Sequence, residues 1–177
     1  MDLVKLYETP IQIMLSSDTL FINGAEKKPD VRHLLEMKGV LADPDVDLPI
    51  NTELYHMYRE VYAASDIRCD ITVVPPIKIG REFAKTYGHY HPIAEDDMTY
   101  PELYQVLEGS AMFIMQSKNK DGSVNVIAVT AEKGDVVLFP PNYGHVSINK
   151  SISPLILTNL VSDKFKSDYV DYELYHG

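Results

Sequence analysis

His89 and His91 stand one residue apart in GHYHPIAEDDMTYPELYQVLEG, residues 88–109. Alternate side chains of a β-strand face the same way, so on a strand both imidazoles can reach one cation. A third histidine, His145, follows PPNYG and opens another short strand-like run. Carboxylates lie close by at Glu95, Asp96, Asp97, Glu102 and Glu108. Imidazole with carboxylate suits divalent iron, manganese, nickel or zinc, and the donors alone do not choose among them. Two acids compete to complete the set. Glu95 follows His91 with three residues between them, in an acidic, proline-containing loop. Glu102 opens PELYQVLEG, an alternating run in which Glu102, Tyr104 and Val106 share one face. Short spacing favours Glu95, and the more ordered surroundings favour Glu102.

The elements that must hold these residues read as strands. From about residue 68 the chain is a series of short apolar or alternating runs: DITVVPPIKI, LYQVLE, SAMFIMQS, SVNVIAVT, DVVLFP, HVSINK and PLILTNLV. Turn chemistry such as NKDGS and EKGD separates them. Many short strands at this spacing predict a β-sandwich or barrel. Asp121-Gly122 predicts the turn of a hairpin, and Pro75-Pro76 marks an edge or bend. The N-terminal third reads differently. PDVRHLLEMKGV predicts a short helix, with Asp30 as N-cap and Gly39 at its end. TELYHMYREVYAASD predicts a second helix, because Leu54, Tyr58, Val61 and Tyr62 fall at helical spacing. Residues 1–66 are thus expected to form an N-terminal elaboration on a barrel of residues 67–177, one structural domain overall.

The 177 residues are enough for one domain with a sizeable core. Asp and Glu number 26 against 16 Lys and Arg, for a net charge of −10. So acidic a surface argues against nucleic acid or an anionic membrane as partner. No apolar run approaches the ~20 residues of a membrane span, and MDLVKLYETP lacks the pattern of a signal peptide. Cys69 is the only cysteine, which excludes an internal disulfide and fits a cytoplasmic protein.

The histidine motifs resemble those of the cupin superfamily. Its first motif ends in HxH, a short gap, Glu, six residues and Gly. Counting from Glu102 lands on Gly109, whereas counting from Glu95 lands on Glu102. Its second motif is matched by Gly134, DVVLF, Pro140, Pro141, Asn142, Tyr143, Gly144, His145, VSI and Asn149, with Asn142 where glycine is usual. Phe83 replaces the leading glycine of the first motif, and the gap between HxH and Glu is long by about seven residues. DITVVPP, KTYGHYHP, YPELYQVLEG and PPNYGH, with MKGVLADP and LYHMYREVY upstream, resemble the archaeal-type (cupin) glucose-6-phosphate isomerases over roughly residues 31–161.

That resemblance implies a mainly β fold: a single cupin (double-stranded β-helix, or jelly-roll) barrel with an N-terminal helical and extended elaboration. It implies interconversion of glucose 6-phosphate and fructose 6-phosphate, in glycolysis and gluconeogenesis. One divalent metal per subunit is implied, iron first, with manganese, nickel or zinc as alternatives. The family's ligands map onto His89, His91, Glu102 and His145, its phosphate contacts onto Thr72, Thr86 and Gly88, and its active-site tyrosine onto Tyr104. Two routes are then open: Glu102 as the catalytic base of an enediol path, or a direct hydride shift from C2 to C1 at the metal. A homodimer is implied, acting on a small sugar phosphate. The family's tail histidine is absent, and Ser167 stands there beside Asp168 and Tyr169. Another cupin metalloenzyme such as a dioxygenase, or a non-catalytic sugar-binding cupin, shares the same ligand pattern. Lys78, Arg81 and Lys85 are either a solvated edge or a local attraction for a phosphate dianion.

Overall fold

All seven of the short apolar runs become strands. The structure, a computed structural model, describes residues 4–7, 13–16 and 19–177. In chain order the first strands are β1 (Val4–Tyr7), β2 (Ile13–Ser16), β3 (Thr19–Ile22), β4 (Ala25–Lys27) and β5 (Asp30–His33). Helix α1 (Leu34–Met37) and a 3-10 turn (Lys38–Val40) follow. Then come β6 (Glu53–Ala64), β7 (Ile67–Val74), β8 (Lys78–Ile79), β9 (Glu82–Phe83), β10 (Ile93–Glu95) and β11 (Met98–Thr99). The last are β12 (Glu102–Glu108), β13 (Ser110–Lys118), β14 (Val124–Glu132), β15 (Val136–Phe139), β16 (Gly144–Asn149) and β17 (Leu155–Ser162), with α2 (Val170–Tyr175) behind them.

Two sheets make a jelly roll. One has six strands in the order β15-β12-β17-β7-β6-β5, and the other three, β14-β13-β16. The segment 84–90 runs beside β16 and lengthens the second sheet, with bridges at Lys85–Ile148 and His89–His145. The sheets face one another as a sandwich and not as a closed ring of pairing. Tyr104, Val106 and Leu157 of the first meet Ala111, Phe113 and Met115 of the second in one buried cluster. Period-2 alternation explains the other face. Cys69, Ile71 and Val73 turn outward on β7 and pack under the β1-β2-β3-β4 meander, against Ile13, Leu15 and Leu20. Asn149, the end of the second cupin motif, donates its side-chain amide to Val74 O and Ser153 O, both at 2.9 Å.

Two helix expectations are corrected. Residues 53–64 are the long strand β6, paired with β7. The helical spacing of Tyr58 and Val61 has a different origin. A bulge between Tyr58 and Tyr62 sets three residues of β6 against one of β7, so positions three apart reach the same buried cluster. The other helix is shorter than expected. Asp30–His33 is a strand on the edge of the large sheet, where Val31 and Arg32 oppose His56 and Tyr55. Only Leu34–Met37 is helical, and Leu34 and Met37 are buried from it. Among the described residues no helix is long and apolar enough to cross a membrane.

Candidate metal centre

Backbone pairing brings the histidines together. His89 and His145 face each other across two antiparallel segments and exchange both backbone hydrogen bonds, at 3.3 and 3.0 Å. Directly opposed residues project to one face, and His91 follows at the same parity. The ring centroids lie 4.6 Å (His89–His145), 5.1 Å (His91–His145) and 5.4 Å (His89–His91) apart. Glu102 arrives from the opposite sheet as the first residue of β12, on its buried face with Tyr104 and Val106. Its Oε2 is 3.2 Å from the Nε2 atoms of both His91 and His145.

Hydrogen bonds behind the cluster set its chemistry. The Nδ1 of His91 donates to Tyr100 O at 2.7 Å, and that of His89 to Tyr87 O at 3.2 Å. A carbonyl only accepts, so each ring presents its Nε2 lone pair inward. Glu102 is anchored on one side only. Its Oε1 accepts from the Asn159 side-chain amide, whose own oxygen accepts the Asp70 N–H at 2.9 Å. That backbone donor fixes which way the Asn159 amide points.

The buried Nε2 atoms of His91 and His145 and the Oε2 of Glu102 have no hydrogen-bond partner. One ligand atom from each of His89, His91, Glu102 and His145 falls within 4.8 Å of the others. Burial pushes the His89 imidazole down to about 3, and the neighbouring His145 adds to this. Burial likewise lowers His145, against the pull of Glu102. For Glu102 burial works upward, but the close His145 and His91 rings outweigh it and hold the carboxyl well below its usual range. Neutral imidazoles at His89 and His145 beside an ionised carboxylate, with orphaned donor atoms converging, fit a divalent cation.

Glu95, the competing acid, is exposed on β10 and outside this cluster. The long gap that carries it is a hairpin, β10-β11, whose turn residues Asp96 and Asp97 both have positive φ, as the tight hairpin turn requires. Asn142, the departure from the second motif, sits at φ 69°. Its side-chain oxygen accepts the Thr99 N–H at 3.1 Å, and its own N–H donates to Thr99 Oγ1 at 2.6 Å. The two departures from the cupin pattern therefore bind each other, and the hairpin delivers the Tyr100 carbonyl to His91.

A cavity of about 50 Å³ adjoins the cluster, with Thr72, Thr86, His89, Glu102, Tyr104 and Ser167 on its wall. Gly88 is not there. A Cβ on it would lie 2.1 Å from the Tyr172 ring, so its bare Cα makes room for α2. Burial raises the Tyr104 phenol well above its usual value, with the Glu102 charge adding to this. Phe165 closes the cluster from the C-terminal side, its ring centroid 4.3 Å from that of His91 and 5.8 Å from that of His89. Lys78 lies over the Phe83 ring, and Lys85 pairs with Glu82 at 2.6 Å; neither lines the cavity. Sequence reasoning missed Asn159, Asp70, Arg59, Arg68 and Phe165. The available signal was polar residues inside buried runs, as Asp70 in DITVV and Asn159 in LILTNLV.

Comparisons with known proteins point to one family. The family described as Glucose-6-phosphate isomerase (GPI) matches residues 51–177. The glucose-6-phosphate isomerase of Thermococcus onnurineus is 30% identical over 169 residues, covering 92% of this chain and 84% of the relative. That of Thermococcus litoralis is 31% identical with the same coverage. Among solved structures, the vicilin of Solanum melongena superposes with a TM-score of 0.50 at 12% identity, over 64% of this chain and 30% of its own, a likeness of fold.

Proposed function

The chain belongs to the glucose-6-phosphate isomerase family, and from that premise we propose that it interconverts glucose 6-phosphate and fructose 6-phosphate at a divalent metal held by His89, His91, Glu102 and His145. The convergence of their unpartnered donor atoms carries this reading. Iron is the first candidate, ahead of manganese, nickel and zinc. A divalent ion held there would supply Lewis acidity toward the oxygens of the open-chain sugar.

The reaction moves hydrogen from C2 to C1 and a proton between the two oxygens. Glu102 is poorly suited to take the carbon-bound proton, since its neighbours hold the carboxyl well below its usual range. Direct transfer of hydrogen from C2 to C1 suits this site better than an enediol made by Glu102. Tyr104, kept as a neutral phenol, is the group that exchanges a proton with the sugar oxygens. Thr72 and Thr86, on the cavity wall, receive phosphate oxygens, while Gly88 serves by letting α2 pack closely. The cavity is far below the ~300 Å³ of a typical ligand pocket, so Phe165 must withdraw to admit the sugar. A homodimer belongs to the same proposal.

A coupled assay of fructose 6-phosphate isomerisation tests it, run before and after chelation with add-back of iron, manganese, nickel and zinc. Activity lost to the chelator and restored by one of these ions is expected. Turnover that survives complete metal removal would sink the metal-dependent reading. Deuterium at C2 should be retained in the product, and full exchange with solvent would return the enediol.

A further inference from the structure

Phe165 occupies space at the metal cluster that the sugar needs. It lines the cavity together with His89, Glu102 and Tyr104. Its ring lies 4.3 Å from the His91 ring and 5.8 Å from the His89 ring, and the Arg68 guanidinium sits over it at 5.7 Å. The cluster is closed in: His91 is 5% exposed, Glu102 2% and His145 1%. An open-chain hexose phosphate reaches these donors, through a cavity of about 50 Å³, only if a wall moves.

The wall held least is the one that carries Phe165. Strand β17 ends at Ser162, and the chain then crosses the site to the segment bearing His89 and His91. Both ends of the crossing are fixed. The Asp163 N–H donates to Asp66 O at 2.9 Å. Asp168 and Tyr90 exchange both backbone hydrogen bonds, each at 2.8 Å. Tyr90 stands between His89 and His91, so this second anchor lies on the ligand segment itself. Lys164, Phe165, Lys166 and Ser167 span the two anchors. The Phe165 N–H reaches Ser162 O at 3.3 Å, and the Lys164 N–H reaches Ser162 Oγ at the same distance. Lys164 also meets Asp66 at 3.3 Å, but both are exposed, where such a pair is worth little. Among the described residues, none hydrogen-bonds Lys166 or Ser167. Of the described residues between Val161 and Tyr172, only Phe165 is buried. One apolar ring therefore holds the strap down, and so small a buried contact marks a segment that opens locally.

We propose that Phe165 is the gate residue of the metal centre. The four-residue strap lifts its ring out of the cavity while both anchors hold, and sugar and metal pass through the space it leaves. The closed form competes with both. Apparent affinity for the sugar is reduced by the fraction of molecules that are open, and metal escapes only during opening. The gate's role toward the sugar rests on the isomerase reading; its role toward the metal does not.

Phe165→Ala in the full-length, metal-loaded chain is the test. Release of the bound ion to excess chromogenic chelator should quicken by on the order of tenfold, the population shift that losing one buried aromatic ring allows. KM for fructose 6-phosphate should fall by a similar factor. Phe165→Leu keeps part of the burial and should lie between wild type and Phe165→Ala in both measurements. A merely structural ring would lower the melting temperature of the metal-free protein without lowering KM. An unchanged release rate, or a KM that stays level or rises, would overturn the gate. If Phe165→Ala does not fold, Phe165→Leu is judged by the same two measurements. Should wild type turn over neither hexose phosphate, the isomerase reading fails, and the chelator rates decide the gate by themselves.

Discussion

Glu102 has two oxygens with different duties. Oε1 is engaged by Asn159, while Oε2 faces His91 and His145. The Asn159 amide is itself fixed by the Asp70 N–H, so the carboxylate is oriented by a backbone atom two steps away. Asn159→Asp separates this role from simple packing. The replacement still accepts from Asp70 but offers Glu102 an acceptor in place of a donor. Metal affinity should fall about 10- to 100-fold, the usual effect of losing a partner behind a ligand. A chelator competition measures it, with the melting temperature of the metal-free protein as control. The added negative charge by itself would tighten binding, so a tighter site would refute the orienting role.

The β10-β11 hairpin is an element with a purpose that its loop-like sequence hides. PIAEDDMTY reads as a solvated acidic loop, and its acids are indeed exposed. Its base, however, holds His91 through Tyr100 O, and its second strand is latched to Asn142. Asn142 combines a left-handed backbone with two hydrogen bonds, and substitutions can separate these. Asn142→Gly keeps the backbone and loses the side-chain bond, at a cost of about 1 kcal/mol. Asn142→Ala loses the same bond but keeps a Cβ at positive φ, which the Gly variant sheds, so it should be less stable than Asn142→Gly by another ~1–2 kcal/mol. Urea denaturation of the two variants measures the difference, and equal losses would remove backbone strain from the account.

At the scale of the molecule, the sandwich buries tyrosines whose ionisation folding suppresses. Burial, then the nearby Glu173, pushes Tyr87 up to about 12, and burial raises Tyr55 and Tyr172 as well. An exposed tyrosine titrates near 10. Above that pH the unfolded chain sheds protons that the folded protein keeps, so the unfolded state binds fewer and stability falls as pH rises. The guanidinium midpoint should hold near pH 8–9 and drop between pH 10 and about 12. Tyr87→Phe should flatten the drop, and a midpoint indifferent to alkali would contradict it.

The sequence by itself determined the strand runs, the shared face of Glu102, Tyr104 and Val106, and the hairpin at Asp121-Gly122. Each is local: alternation decides which side chains share a face, and Gly109 takes φ 83° where a Cβ would meet Pro154 O at 2.8 Å. Tertiary structure alone decided that residues 53–64 are a strand. A bulge imitates helical spacing, and only pairing with β7, with Asp70 bonded to the Glu60 N–H, reveals it. It also decided the company of Glu102. Asp70, Arg68, Asn159 and Phe165 lie on β7, on β17 and just beyond it, and only register across the sheet sets Tyr104 beside Asn159 and Asn159 beside Asp70. Register is a contact between distant parts of the chain, and a slip of one residue would turn every one of these side chains to the other face.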